Sequence, residues 1–154
     1  MAFRVSDAMT AAVISISEDA RIDEVFELLL RHHVSGLPVV DDDKNLVGVV
    51  SELDLLVLLD GQASESSPVS EYLSGNVLTV REDDLLTDVT ELFLKHNFRR
   101  LPVVRDGKLI GVISRRDMVR YIRGIRSRVQ AEMSVRRDVK TSRSSSAERS
   151  SVGV

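Results

Sequence analysis

Two serine–aspartate pairs at the same spacing, Ser51 with Asp54 and Ser114 with Asp117, are the residues best suited to chemistry, and each closes a Gly-h-h-Ser-x-x-Asp motif (h, apolar) led by Gly48 or Gly111. An ionised carboxylate accepts two hydrogen bonds at once, which suits the paired hydroxyls of a ribose. A strand that feeds a glycine-led turn into a helix start presents unpaired N–H groups and a positive dipole end, which suits phosphate. Glycine there lets backbone approach a ligand closely. The same residues also fit a purely structural role. A serine N-cap and an acid three residues on form a capping box, and losing such a cap costs about 1 kcal/mol. Spacing alone leaves both readings open.

Other chemistries find no residues. The chain has no cysteine, which excludes disulfides, thiolate metal sites and cysteine nucleophiles and fits a reducing compartment. His32, His33 and His96 sit at expected helix ends, with His32 and His96 at equivalent places in a repeat, so no metal site is assigned. A Gly-x-Ser-x-Gly elbow, a P-loop lysine motif and a Gly-x-Gly-x-x-Gly fingerprint are all missing, and catalysis is not expected.

The elements that must position the motifs come twice. Slid against itself by 64 residues, the sequence matches from Val5 to Val40: Glu27–His32 falls on Glu91–His96, and Leu37-Pro38-Val39-Val40 on Leu101-Pro102-Val103-Val104. The offset then drops to 63, placing Gly48–Asp54 on Gly111–Asp117 and implying a surface turn between Val40 and Leu46. In each unit a β-branched run (Val13–Ile16, Val77–Val80) predicts a strand. A helix should follow, with Ile22, Val25, Phe26 and Leu29, or Leu86, Val89, Leu92 and Phe93, on its buried face. Leu37–Val40 with Leu46–Val50, and Leu101–Val104 with Leu109–Ile113, read as hairpins, and a second helix begins at each serine. The expected fold class is α/β (α+β), two βαββα repeats packed as a pseudo-two-fold pair. Repeat one spans 3–60, a linker 61–68, repeat two 69–124, a helical extension 125–140 and a disordered Ser/Arg-rich tail 141–154. A unit of about 60 residues is marginal alone, so the two should share a core.

The chain has 154 residues, 43% of them apolar and 29% charged, with a net charge of -3. From Ile125 onward seven basic residues face three acidic ones, so the tail is +4 and the rest -7. An acidic body argues against a nucleic-acid footprint. No apolar run reaches the roughly 18 residues of a membrane span, the N-terminus does not read as a signal peptide, and a cytoplasmic location is expected. Ile125, Val129 and Met133 recur every four residues, an apolar stripe with no partner in the repeat scheme.

The duplicated pattern over about residues 3–123 resembles a tandem pair of CBS domains, or Bateman module. The resemblance rests on the opening Val5–Thr10 with its partner Val69–Ser74, the Leu-Pro-Val-Val strands and the doubled Gly-h-h-Ser-x-x-Asp. It implies a non-catalytic regulatory module without a required cofactor. Such a module binds adenosine-containing ligands (AMP, ADP, ATP or S-adenosylmethionine) in two clefts between the repeats and relays occupancy to a regulated protein partner. By position, Ser51 with Asp54 would serve one cleft and Ser114 with Asp117 the other, aspartate on ribose and serine near phosphate. Thr79, Val80 and Pro102 would wall the adenine of the second cleft, with Ser15, Ile16 and Pro38 as counterparts. The family often carries phosphate-binding basic residues before Leu-Pro. Repeat two has Arg99-Arg100 there, and Arg115-Arg116 inside the motif, where repeat one has Ser35-Gly36 and Glu52-Leu53. The expectation is that the Asp117 cleft takes the phosphorylated ligand and that Glu52 disfavours phosphate in the other. These arginines also fit a solvated face pairing with the acidic body. A homodimer forming a four-repeat disc is expected, with no membrane and no nucleic-acid partner. The alternative is a structural dimerisation or scaffold module with empty clefts.

Overall fold

The β-branched runs pair into two three-stranded sheets of the same design. The computed structural model describes residues 2–61, 64 and 66–149, with side chains as far as residue 143. In the first sheet β1 (Ile16–Ser17) lies parallel to β2 (Gly36–Val40), which pairs antiparallel with β3 (Leu46–Ser51). In the second, β4 (Val80–Arg81), β5 (Arg100–Arg105) and β6 (Lys108–Ser114) repeat the order. Both hairpins turn where sequence expects. Asp106 and Gly107 take the left-handed region at φ 50° and 80°, which a primed turn requires, and in the first hairpin Asp41 accepts hydrogen bonds from Asp43 and Asn45. The expected strands at Val13–Ile16 and Val77–Val80 are shorter than read. Only their last residues join a ladder, and the preceding three run irregularly because the chain there leaves the sheet to cross to the other repeat.

Each first crossover is a helix, α2 (Ile22–His32) and α4 (Leu86–Lys95), burying Ile22, Val25 and Leu29 or Leu86, Val89 and Phe93, while Phe26 and Leu92 of the expected faces are half-buried. A short helix α1 (Val5–Ala8) precedes them. The two motif serines open helices of very different length. In repeat one α3 (Glu52–Leu55) passes into a 3₁₀ turn that stops at Gly61 in the left-handed region, φ 70°. In repeat two α5 runs unbroken from Arg115 to Arg149. The expected disordered tail at 141–154 is therefore helical through 149, and residues 150–154 lie outside the described residues. Neither glycine nor proline occurs between Gly124 and Arg149, and the arginine, alanine, glutamate and lysine of this stretch favour helix. Positions 62, 63 and 65 of the expected linker also lie outside the described residues.

Two hydrophobic clusters form, not one shared core. The first gathers Ile16, Ile22, Val25, Leu29, Leu37, Val39 and Val50, and Val69 from the opening of repeat two. The second gathers Val80, Val89, Leu101, Val103 and Ile113 with Val5 from the opening of repeat one. Each repeat lends its first residues to the other. The exchange is fixed by backbone: Thr10 and Val112 exchange both N–H···O bonds at 2.9 Å, and Ser74 and Val49 do the same at 2.9 and 3.1 Å. Val5 and Val69 are wholly buried, so neither repeat closes its core alone. Among the described residues no helix is long and apolar enough to cross a membrane.

Candidate functional site

Both motifs fold as capping boxes, and in both one carboxylate oxygen does the capping. Asp117 Oδ2 accepts from the Ser114 amide at 2.8 Å and from Ser114 Oγ at 2.7 Å, while the Asp117 amide donates back to Oγ at 3.0 Å. Asp54 Oδ2 accepts from the Ser51 amide at 2.7 Å and from its hydroxyl at 2.9 Å. That geometry leaves the second oxygen of each aspartate. Oδ1 of Asp117 is approached by Thr10 Oγ1 at 3.3 Å and Arg120 Nη1 at 3.5 Å, both long, and among the described residues Oδ1 of Asp54 has no hydrogen bond. The structural and the ligand-binding readings of the motif are thus compatible, since they use different atoms.

Two clefts flank the junction of the repeats. One, of about 240 Å³, sets Ser114, Arg116, Asp117 and Arg120 of repeat two against Ile14, Val34 and Pro38 of repeat one. The other, of about 590 Å³, sets Ser51, Glu52 and Leu53 of repeat one against Phe98, Arg99 and Pro102 of repeat two. Each cleft therefore sets the polar helix start of one repeat against apolar residues of the other, with Leu37, Pro38 and Val112 lining both. This shifts part of the expected allocation: Pro102 walls the Ser51 cleft and not the Asp117 cleft, while Pro38 lines both. The arginine pairs are also split. Arg99 faces the Ser51 cleft, Arg116 the Asp117 cleft, and Arg100 lines both. Arg99 and Arg116 do not converge on one site: Arg99, just before β5, lies on the Ser51 cleft, and Arg116, in the first turn of α5, lies beside Asp117.

Several expected wall residues lie elsewhere. Ile16 and Val80 are buried in the two cores, because they are the ladder residues of β1 and β4 facing inward. Ser15, Thr79, Arg115 and Asp54 are absent from both cleft linings, although Asp54 touches the cleft through the Ser51 hydroxyl. Gly48 and Gly111 admit backbone of the protein itself. A Cβ at Gly48 would come within 2.7 Å of the Ser74 carbonyl oxygen, and one at Gly111 within 3.0 Å of that of Thr10. The glycines serve the exchanged segments. Thr10, Ile14, Val34 and Phe98 were missed as wall residues; the signals available were the apolar residue two before the ladder residue Ile16 and the apolar residue three before each Leu-Pro, Val34 and Phe98.

Asp117 is the one buried ionisable or polar residue among those described, at 9% exposure. The clefts offer hydrogen-bond acceptors, guanidinium groups and apolar surface, a set for holding an anionic, partly planar molecule. Among the described residues no cluster of three histidines, cysteines or acids is arranged to hold a metal ion.

A family profile for the CBS domain matches residues 5–61 and again 69–124. An uncharacterised protein of Methanocaldococcus jannaschii is 32% identical over 118 residues, covering 77% of this chain, and the chain spans only 42% of that relative's length. The chloroplastic CBS domain-containing protein CBSX2 of Arabidopsis thaliana is 34% identical, over 77% of this chain and 63% of its own. The crystal structure of CBSX2 in complex with AMP superimposes with a TM-score of 0.72 at 37% identity, covering 80% of this chain and 98% of that one. The CBS domain pair of protein MJ0100, in complex with 5'-methylthioadenosine and S-adenosyl-L-methionine, does so at 0.67 and 26% identity, covering 80% and 98%. The doubled profile, the crossed clefts and these likenesses place the chain in the CBS-domain family, as a tandem pair.

Proposed function

We propose that the chain is a non-catalytic regulatory module that binds adenosine-containing ligands, AMP or a relative of it, in the two clefts and passes their occupancy to a protein partner. The observation that carries this reading is Asp117: its Oδ2 is committed to the cap while Oδ1 stands on a cleft that also holds apolar Ile14, Val34 and Pro38 and cationic Arg100 and Arg116. A ribose would take Oδ1 from Thr10 and Arg120, the base would lie against Pro38 and Ile14, and a phosphate would meet the guanidinium groups. The Ser51 cleft offers the same parts in Phe98 and Pro102, the Ser51–Asp54 pair, and Arg99. The complexes of CBSX2 and MJ0100 support the class of ligand.

The second reading, a dimerisation or scaffold module, is favoured by α5. Val129 and Met133 are 45% and 60% exposed on a helix that leaves the body, so beyond the half-buried Ile125 the stripe read in the sequence is uncovered among the described residues. We propose that a second copy of the chain covers it in a homodimer. The two readings differ in a thermal-shift titration with AMP, ADP, ATP and S-adenosylmethionine. A ligand at 100 times its dissociation constant adds about 2.7 kcal/mol of stability. A shift lost in Asp117→Ala supports the sensor; no shift with any of the four, in folded protein free of bound nucleotide, leaves the scaffold.

A further inference from the structure

Arg100 stands at the first residue of β5 and lines both clefts, and its Nε is buried without a hydrogen-bond partner, the one such side-chain atom among the described residues. Its counterpart in repeat one is Gly36, which also lines both clefts. Where the pseudo-two-fold would place two guanidinium groups, one for each cleft, the molecule has one. A buried donor without an acceptor is costly, and a guanidinium fork matches the oxygens of a phosphate.

We propose that Arg100 is the specificity-determining cation of both clefts and that, because its fork grips one phosphate at a time, phosphorylated ligands in the two clefts exclude each other. The inference rests on the adenosine-binding reading and adds a rule to it: one phosphorylated ligand per chain binds tightly, while an adenosine compound without phosphate enters the other cleft unopposed. With Arg100 engaged elsewhere, the Ser51 cleft keeps Arg99 against Glu52, and the Asp117 cleft keeps Arg116 and Arg120 against Asp117. The Ser51 cleft loses its net positive charge and the Asp117 cleft does not, so withdrawal weighs more on the former. The coupling free energy is nonetheless mutual, as linkage requires.

The chain has no tryptophan, so Phe98→Trp puts a single reporter on the Ser51 cleft and Ile14→Trp one on the Asp117 cleft. Each reporter is titrated with AMP, alone and with the opposite cleft disabled by Asp117→Ala or Asp54→Ala. Arg116→Ala, an exposed wall residue, is a second way to weaken the Asp117 cleft without touching its cap. The cleft that fills second in the intact chain should bind AMP about tenfold more tightly once the other is disabled. The gain should vanish in Arg100→Gln and when adenosine replaces AMP. Unchanged AMP affinity at both reporters, or a gain that persists with adenosine or in Arg100→Gln, overturns the proposal while leaving ligand binding intact. Calorimetry of the unaltered chain showing that neither AMP nor adenosine binds removes the adenosine reading and this inference together.

Discussion

The two clefts are built from the same elements and carry different charge. On the helix side, Glu52 and Leu53 stand where repeat two has Arg115 and Arg116. On the strand side, Ser35 and Gly36 stand where repeat two has Arg99 and Arg100. In two self-contained repeats all four cations would gather on one site. The folded pair deals them out instead, with Arg116 to the Asp117 cleft, Arg99 to the Ser51 cleft, Arg100 between them and Arg115 outside both linings. The lesson is that a charge difference between repeats becomes a difference between sites only after the topology has distributed it.

That comparison can be broken at the exchanged segments or sharpened at the clefts. The largest effect belongs to the glycines. Gly48→Ala drives a Cβ to 2.7 Å from the Ser74 carbonyl and Gly111→Ala to 3.0 Å from that of Thr10, both backbone atoms that must shift. Overpacking costs about 1–3 kcal/mol, with Gly48→Ala the worse of the two, and urea midpoints of both variants check the order. Next comes the ribose position. Asp117→Ala should weaken AMP binding about 10- to 100-fold, the worth of hydrogen bonds to a charged group, while Asp54→Ala, set back behind Ser51, should cost less; titration calorimetry reads both.

Smaller still is Glu52→Gln, which removes the one acid on the wall of the Ser51 cleft and should tighten AMP there a few-fold, an effect that fades with added salt. Weakest is a difference in acid sensitivity between the sheets. Arg105 donates twice to Glu82, and these hydrogen bonds hold the glutamate carboxyl below its ordinary value of 4.5. In repeat one Asp41 stands in the place of Arg105 and is itself held low by its hydrogen bond from Asn45. A depressed carboxyl stabilises the fold above the unfolded-state value and ceases to do so as pH falls through the folded one. Melting temperatures of Arg105→Ala and the parent should therefore differ slightly near neutrality and draw together as the pH falls below 4.5 and through the lowered value of Glu82. Arg105 is exposed and Glu82 only half-buried, so the neutral-pH gap should be small.

Much of this was legible from residues. The doubled Leu-Pro-Val-Val and Gly-h-h-Ser-x-x-Asp runs fixed the hairpins, because alternation and turn chemistry act within a few residues. The buried faces of α2 and α4 follow the helical period. What sequence could not place was the partner of each opening segment. Val5 reads equally well as packing on its own repeat or the other, and only tertiary packing chooses. The unforeseen wall of the Asp117 cleft follows from that ambiguity: once Thr10 pairs with Val112, Ile14 stands beside Asp117. The length of α5 was misread for another reason. A serine-rich stretch buries little, but it also holds no residue that stops a helix already begun.

The swapped openings bear on ancestry. A single ancestral unit with this fold would have offered Val5 or its equivalent outward and lacked the matching plug in its own centre. Two separate copies could have satisfied each other by trading arms, and fusion would then have joined a dimer that already existed. Halves of the present chain, divided between Gly61 and Pro68 and produced together, should accordingly reassemble into the whole.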